Sequence, residues 1–297
     1  FTGVGLQPTY EPARDKKSEV LFCKNTAKDF GIDVIPFGAI SKELKGEQLA
    51  EMFDMYNAGA LAFTDNIRPI NNSGLFSRAL LYAKNFNGLI ISFPYEEKIS
   101  PNGLINEGVV STKLGLEGIP DLSEELMVNR DLLINKYHEG RLHFNILSSK
   151  KSLEHIEVAK KTQNNLSCGT SIFHLLFDDE IINQFDNRFK ILPPFRTKED
   201  RNALLEGVKN GTIDVITSYH QPNEKETTNV EFSLSPFGSI GTQVCFPLAL
   251  TYLREYIGLE KIVQCMSINP RTILQHEVPI IKEGYRANMT LFNPNKK

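Results

Sequence analysis

The residues able to do chemistry are few and scattered. Six histidines stand at 138, 143, 155, 174, 220 and 276, and none has a second histidine at i+2 or i+4, the spacings that put two imidazoles on one metal. Four cysteines, Cys23, Cys168, Cys245 and Cys265, show no CxxC spacing, so neither a zinc knuckle nor a disulfide framework is expected, and a reducing cytoplasm is the expected setting. No histidine is placed by the sequence to activate Cys168, which argues against a thiol nucleophile. Two acids or bases sit where strands end. Asp65 closes the run ALAFTD, either as a reactive acid or as a hydrogen-bonding residue of the TDN turn. In VITSYHQPNEK, residues 215–225, a β-forming stretch runs into Tyr219 and His220 before a proline stops it. A tyrosine there is a weak substitute for a carboxylate base, since a phenol titrates near ~10. His220 reads as a rim hydrogen bond or a catalytic group, and His143, in RLHFNIL, as a metal ligand or a satisfied core histidine. His174 reads as a packed residue at a helix start, and the other three histidines as solvent-facing. Arg196, in PPFRTKED, either binds an anion or flanks a capping box made by Thr197 and Asp200.

The elements that must position these groups alternate. Short apolar runs (TGVGL, IDVIPFGAI, ALAFTD, GLIISF, RLHFNIL, LSCGT, TIDVITSY) take turns with helical patterns near 18–30, 47–57, 73–85 and 151–162. Seven strands at βα-unit spacing predict a parallel sheet or barrel. No GxGxxG or GxxxxGK turn occurs, which favours a TIM-type (β/α)8 barrel over a doubly wound sheet. In such a barrel the residues closing each strand face the active site: here Asp65, Phe93, Ile146, Cys168–Thr170 and Tyr219. The expected division is a barrel over 1–265, followed over 266–297 by a helix and a strand that leaves the barrel toward a small β domain. The chain opens on FTGVGLQP, which reads as the middle of a fold, with the first strand expected upstream. A net charge of −3 among 297 residues gives no basic footprint for nucleic acid. No apolar run approaches a membrane span.

Several long strings, in order, resemble the dihydroorotase family of the amidohydrolase superfamily. PPFRTKEDRNALLEGVKNGTIDVITSYHQPNEK is similar to that family's stretch from NPPLR to TDHAPH-x-x-EK. FGSIGTQVCFPLAL resembles its FGxxGLExxxPL, NPRTIL its NPAxIL, EGYRANMTLFNP its closing segment, and NEGVVSTKLGLEGIPDLSEE its NEG loop. The resemblance runs from Phe1 to Pro294. It implies a zinc-dependent cyclic amidohydrolase of pyrimidine biosynthesis, in which a metal-activated water opens dihydroorotate and an aspartate takes the proton.

Carried over residue by residue, the resemblance also implies that this machinery is dismantled. The HxH pair of the first strand lies outside the sequence. The acid of the DDG loop is kept as Asp65, but the two histidine positions that follow are Phe93 and Ile146, and the general-base aspartate is Tyr219. Among substrate contacts, the asparagines become Thr9 and Leu192, His220 is kept, and the last histidine becomes Asn223. Phe and Ile offer a metal no lone pair, so no cofactor is expected, and Asp65 and His143 are the residual metal candidates. Three readings stand. The first is a non-catalytic barrel kept for assembly, with aspartate transcarbamoylase or with itself. The second is an active hydrolase whose altered zinc site the upstream segment completes. The third is a module binding a less charged small molecule at a barrel mouth lined by Phe93, Ile146, Leu192 and Tyr219.

Overall fold

The computed structural model describes residues 3–9, 11–285, 287 and 289–293. Its strands are β1 (Gly3–Leu6), β2 (Asp33–Pro36), β3 (Ala62–Phe63), β4 (Leu89–Ser92), β5 (Ile105–Asn106), β6 (Gly118–Ile119), β7 (Arg141–Phe144), β8 (Leu166–Ser171) and β9 (Val215–Thr217). The longer helices are α1 (Lys17–Thr26), α2 (Met52–Ala58), α3 (Ser73–Lys84), α4 (Val109–Leu114), α5 (Leu122–His138), α6 (Lys150–Lys160), α7 (Ile172–Leu176) and α8 (Lys198–Asn210). The chain divides into two compact units. One comprises Phe1–Phe93, Leu133–His143 and Ser267–Lys297, and the other Pro94–Leu132 and Phe144–Met266.

In the first unit β1 pairs in parallel with β2, Gly3 opposite Asp33 and Leu6 opposite Pro36. Gly38 bridges to Phe63 in parallel, β3 pairs in parallel with β4, and β7 lies beside β4. Parallel strands covered by helices lose the inside–outside alternation of an exposed sheet. β4 shows this, since all four residues of LIIS are buried. Helices α1, α2 and α3 fill the crossovers. The side chain of Asn72 caps α3 by accepting from the Leu75 amide at 3.1 Å, and α2 stops at Gly59, whose φ of 107° suits only glycine. Met52, Met55, Phe63, Phe76, Leu80 and Ile90 make the interior.

In the second unit β8 and β9 run parallel, Gly169 opposite Val215. Thr197 and Asp200 form the expected capping box at the start of α8, which sets that helix directly before β9. All seven expected strands are present. The segment between β4 and β7, for which the sequence pattern offers no element, contains β5 and β6, paired in parallel, with α4 between them, and then the 17-residue α5. Two-residue strands leave no period to read, and α5 carries apolar residues around its circumference, so its single face is faint. The expected closing strand at 283–294 is not formed among the described residues, with Arg286, Asn288 and Pro294 lying outside them. A strand needs a neighbour to receive its amides and carbonyls, and no strand pairing is found there.

Behind the end of β8 lies a fully buried polar pair. His174 Nε2 is 3.0 Å from the Pro193 carbonyl, which can only accept, so Nε2 carries the hydrogen and Nδ1 accepts from the Ser171 hydroxyl at 2.7 Å. Burial pushes the imidazole down to about 4, which makes it a neutral structural group. The folded chain therefore binds fewer protons than the unfolded chain between pH 4 and the ordinary 6.5. Stability from this group is present above 6.5 and lost as pH falls toward 4, by about 3 kcal/mol in all. Asp65, raised to about 6, acts with the opposite sign over 3.8 to 6, so the difference between proteins carries the result. His174→Gln retains one acceptor and one donor without titrating. Urea melts at pH 7.5 and 4.5 are expected to show the wild type losing more stability than this variant, by about 2–3 kcal/mol.

Candidate functional site

In the first unit, Asp65 follows the β3 strand and its carboxylate is buried. Oδ1 accepts from the amides of Ile40 at 2.8 Å and Ser41 at 3.0 Å, and Oδ2 accepts from the Ser41 hydroxyl. Ser41 Oγ in turn accepts from the Gly46 amide at 2.8 Å. These bonds reach back 24 and 25 residues to the loop after β2. The expectation that Asp65 bonds within its own turn is corrected, because Thr64 Oγ1 already serves the Asn66 amide at 2.9 Å. Desolvation outweighs the donors and lifts the carboxyl to about 6. Phe93, one residue past β4, is a buried hydrocarbon, and His143 is buried in β7. Thr9 is exposed and lines a cavity of about 490 Å³ with Asp15, Lys16, Glu43, Lys45 and Arg68. The buried Arg14 supports the backbone nearby, Nη1 donating to the carbonyls of Leu6, Gln7 and Phe37 at 3.0–3.1 Å.

In the second unit Tyr219 and Leu192 are brought together. The Leu192 amide donates to Tyr219 Oη at 2.8 Å, and that hydroxyl donates to the Leu192 carbonyl at 2.9 Å. The phenol is buried and its pKa is raised by desolvation, with the Leu192 bond opposing. Tyr219 has a φ of 49° and Ile146 a φ of 58°, in the left-handed region that a β-branched residue rarely occupies. His220 is exposed and Nδ1 accepts from the Thr242 amide at 3.4 Å, a rim contact. Asn223 donates its amide to the Phe237 carbonyl at 3.1 Å. Three histidines read as solvent-facing are instead half-buried. His138 bonds Ser77 and His155 bonds Glu125, while His276 lies 3.8 Å from Asp33. Neighbouring elements supply these partners, which linear spacing could not show.

Sequence reasoning missed a buried network in the second unit. Glu124 accepts from the amides of Ser148 and Ser149 and from the Ser148 hydroxyl. That hydroxyl accepts from Arg196 Nε at 3.2 Å, and Arg196 Nη1 donates to Asn106 Oδ1 at 2.9 Å and to the Ile119 carbonyl. Asn106 passes the chain on to Asp179 at 2.8 Å. Arg196 is therefore occupied by protein acceptors. The available signal was Glu124 opening α5 in SEELMV, an acid in a first turn, which does not reveal its burial.

The donors tested against zinc do not fit it. Phe93 and Ile146 present hydrocarbon, the Asp65 oxygens are already taken by three donors, and the Tyr219 oxygen is enclosed between two backbone groups. Structural and catalytic zinc both require at least three lone-pair ligands. Among the described residues no three of His, Cys, Asp and Glu gather around a common point. Cys168 offers no alternative nucleophile, because burial pushes its thiol up to about 12 and its Sγ donates to the Thr212 carbonyl at 3.2 Å.

Comparison with known proteins places this architecture. Residues 1–152 match the family model described as dihydro-orotase-like. The dihydroorotase of Acetivibrio thermocellus is 36% identical over 300 residues, covering 100% of this chain and 70% of that protein. That of Caldicellulosiruptor saccharolyticus is 37% identical with the same coverage. Among solved structures, the L-hydantoinase (dihydropyrimidinase) of Arthrobacter aurescens superimposes with a TM-score of 0.79 at 19% identity, over 93% of this chain and 64% of that one. The Saccharomyces cerevisiae dihydroorotase in complex with 5-fluoroorotic acid gives 0.75 at 12% identity, over 93% and 77%. The chain thus spans only part of each relative, while sharing the α/β barrel fold of the amidohydrolases. From full-length coverage at more than a third identity, together with the family match over its first half, the chain belongs to the dihydroorotase-like family.

Proposed function

We propose that this chain keeps the dihydroorotase fold without its hydrolytic chemistry, and acts in pyrimidine biosynthesis as a structural or binding component. The observation that carries the reading is the Tyr219 phenol, held on both sides by the backbone of Leu192. A general base must reach the proton it removes and carry a pKa near the working pH. This group is enclosed, and burial drives its pKa away from neutrality. The hydrocarbon at Phe93 and Ile146 supports the same reading, since neither can bind or polarise a water. A barrel can lose such chemistry and keep its helices as an interface. Aspartate transcarbamoylase is the partner that the family resemblance implies, and a second copy of this chain is the other. The cavity beside Thr9, whose lining includes Asp15, Lys16, Glu43, Lys45 and Arg68, favours one further reading, a small-molecule site in the first unit.

Three outcomes are expected. Elemental analysis of the purified full-length protein finds less than stoichiometric zinc, and added zinc produces no dihydroorotate hydrolysis; one zinc per chain with turnover overturns the reading. Aspartate transcarbamoylase from the same cell is retained on the immobilised protein, and failure of retention together with a monomeric elution removes the assembly role. Tyr219→Phe leaves the Leu192 amide and carbonyl without their side-chain partner. It is expected to lower stability by about 1–3 kcal/mol in urea melts, whereas a phenol free for chemistry predicts almost no change.

A further inference from the structure

The segment between β9 and the helix at Cys245–Leu248, residues 218–244, leaves the carboxyl end of β9 and returns to it, Cys245 Sγ donating to the Thr217 carbonyl at 3.8 Å. At its base, Gln221 donates its amide to the Ser239 carbonyl at 2.8 Å in an antiparallel bridge. Gly241 lies so close to the strand exit that a Cβ there would stand 1.6 Å from the Ser218 carbonyl and 3.3 Å from the Phe173 ring. A loop of this length with adjoining ends still has to be held at its far side, because exposed polar chain has little apolar surface to bury.

The far side is held from one short stretch. Lys190 is only 2% exposed. Its Nζ donates to the carbonyls of Phe232 at 2.8 Å, Ser233 at 3.1 Å and Ser235 at 2.6 Å. An ammonium has three hydrogens, so all of its donors are taken. The rings of Phe232 and Phe237 stand 5.3 and 5.2 Å from the same nitrogen, within reach of a cation–π attraction. The Lys190 carbonyl accepts from the Gly238 amide at 2.9 Å. Lysine is almost never buried without such compensation, and here every partner of the charge belongs to the loop.

We propose that Lys190 is the latch of the 218–244 loop: its desolvated ammonium gathers three loop carbonyls and holds the loop's far side in place. The stretch from 224 to 231 is mostly exposed, so the hold depends on residues 232–239 rather than on the tip. Asn187 adds a lesser tie, its amide donating to Thr228 and Val230. The inference stands whether or not the chain hydrolyses anything.

Hydrogen exchange read by mass spectrometry on the full chain tests it. Lys190→Met keeps the stem and removes the three donors. Exchange in peptides covering 228–239 is expected to rise at least tenfold, with peptides covering 62–92 unchanged. Equal exchange in 228–239 overturns the latch. Competitive acylation of the folded wild type needs no variant: Lys190 is expected to react at least tenfold more slowly than the exposed Lys225, and comparable rates overturn the proposal.

Discussion

A buried hydrogen-bonding group must find a partner, and in this chain the buried polar groups at the candidate positions find theirs within the protein itself. Asp65 serves the amides of Ile40 and Ser41. Tyr219 serves both polar groups of Leu192, and Arg196 is divided between a serine, an asparagine and two carbonyls. An unpaired buried polar atom costs about 1–3 kcal/mol, so each of these side chains is committed in the folded state. A carboxylate or phenol held this way is a fastener. The same constraint does not fall on the hydrocarbon side chains of Phe93 and Ile146, which are buried and bring no hydrogen-bonding group to satisfy.

Ile146 and Tyr219 both adopt left-handed φ values, a conformation that costs an ordinary residue roughly 1–3 kcal/mol. Such geometry is common at sites where a side chain must be aimed. Here the side chains at those positions are an alkyl group in one case and a phenol tethered to Leu192 in the other. In a barrel the scaffold and the few rim side chains able to carry chemistry are set by different parts of the sequence.

Much of this was legible in the primary structure, for identifiable reasons. The seven principal strands announced themselves because each is a short apolar run of β-formers between helical patterns, and β4, buried on both faces, is unmistakable. The capping box at Thr197 follows from local spacing alone. What could not be read depends on contacts between distant residues. The Asp65 bonds to Ile40 and Ser41, the burial of Glu124 and the half-burial of His138 all require knowing which elements meet. The helix α5 escaped because its apolar residues are spread around it, and β5 and β6 because two residues carry no periodicity. Phe93, Ile146 and Tyr219 were legible as strand-closing residues and Leu192 only by family resemblance, while the bonds that join Tyr219 to Leu192 were visible only in the geometry.

The close approach at Gly241 bears on how this region tolerates change. With the Ser218 carbonyl filling the space a side chain would need, and Gln221 in register with Ser239, both ends of the loop are fixed in place. Extra residues are best accommodated around 224–227, exposed to solvent and ahead of the Thr228 and Val230 carbonyls that Asn187 holds. Length variation among relatives should therefore collect at that tip, and the tip is where a tag or a reporter peptide can be inserted without disturbing the strands beneath.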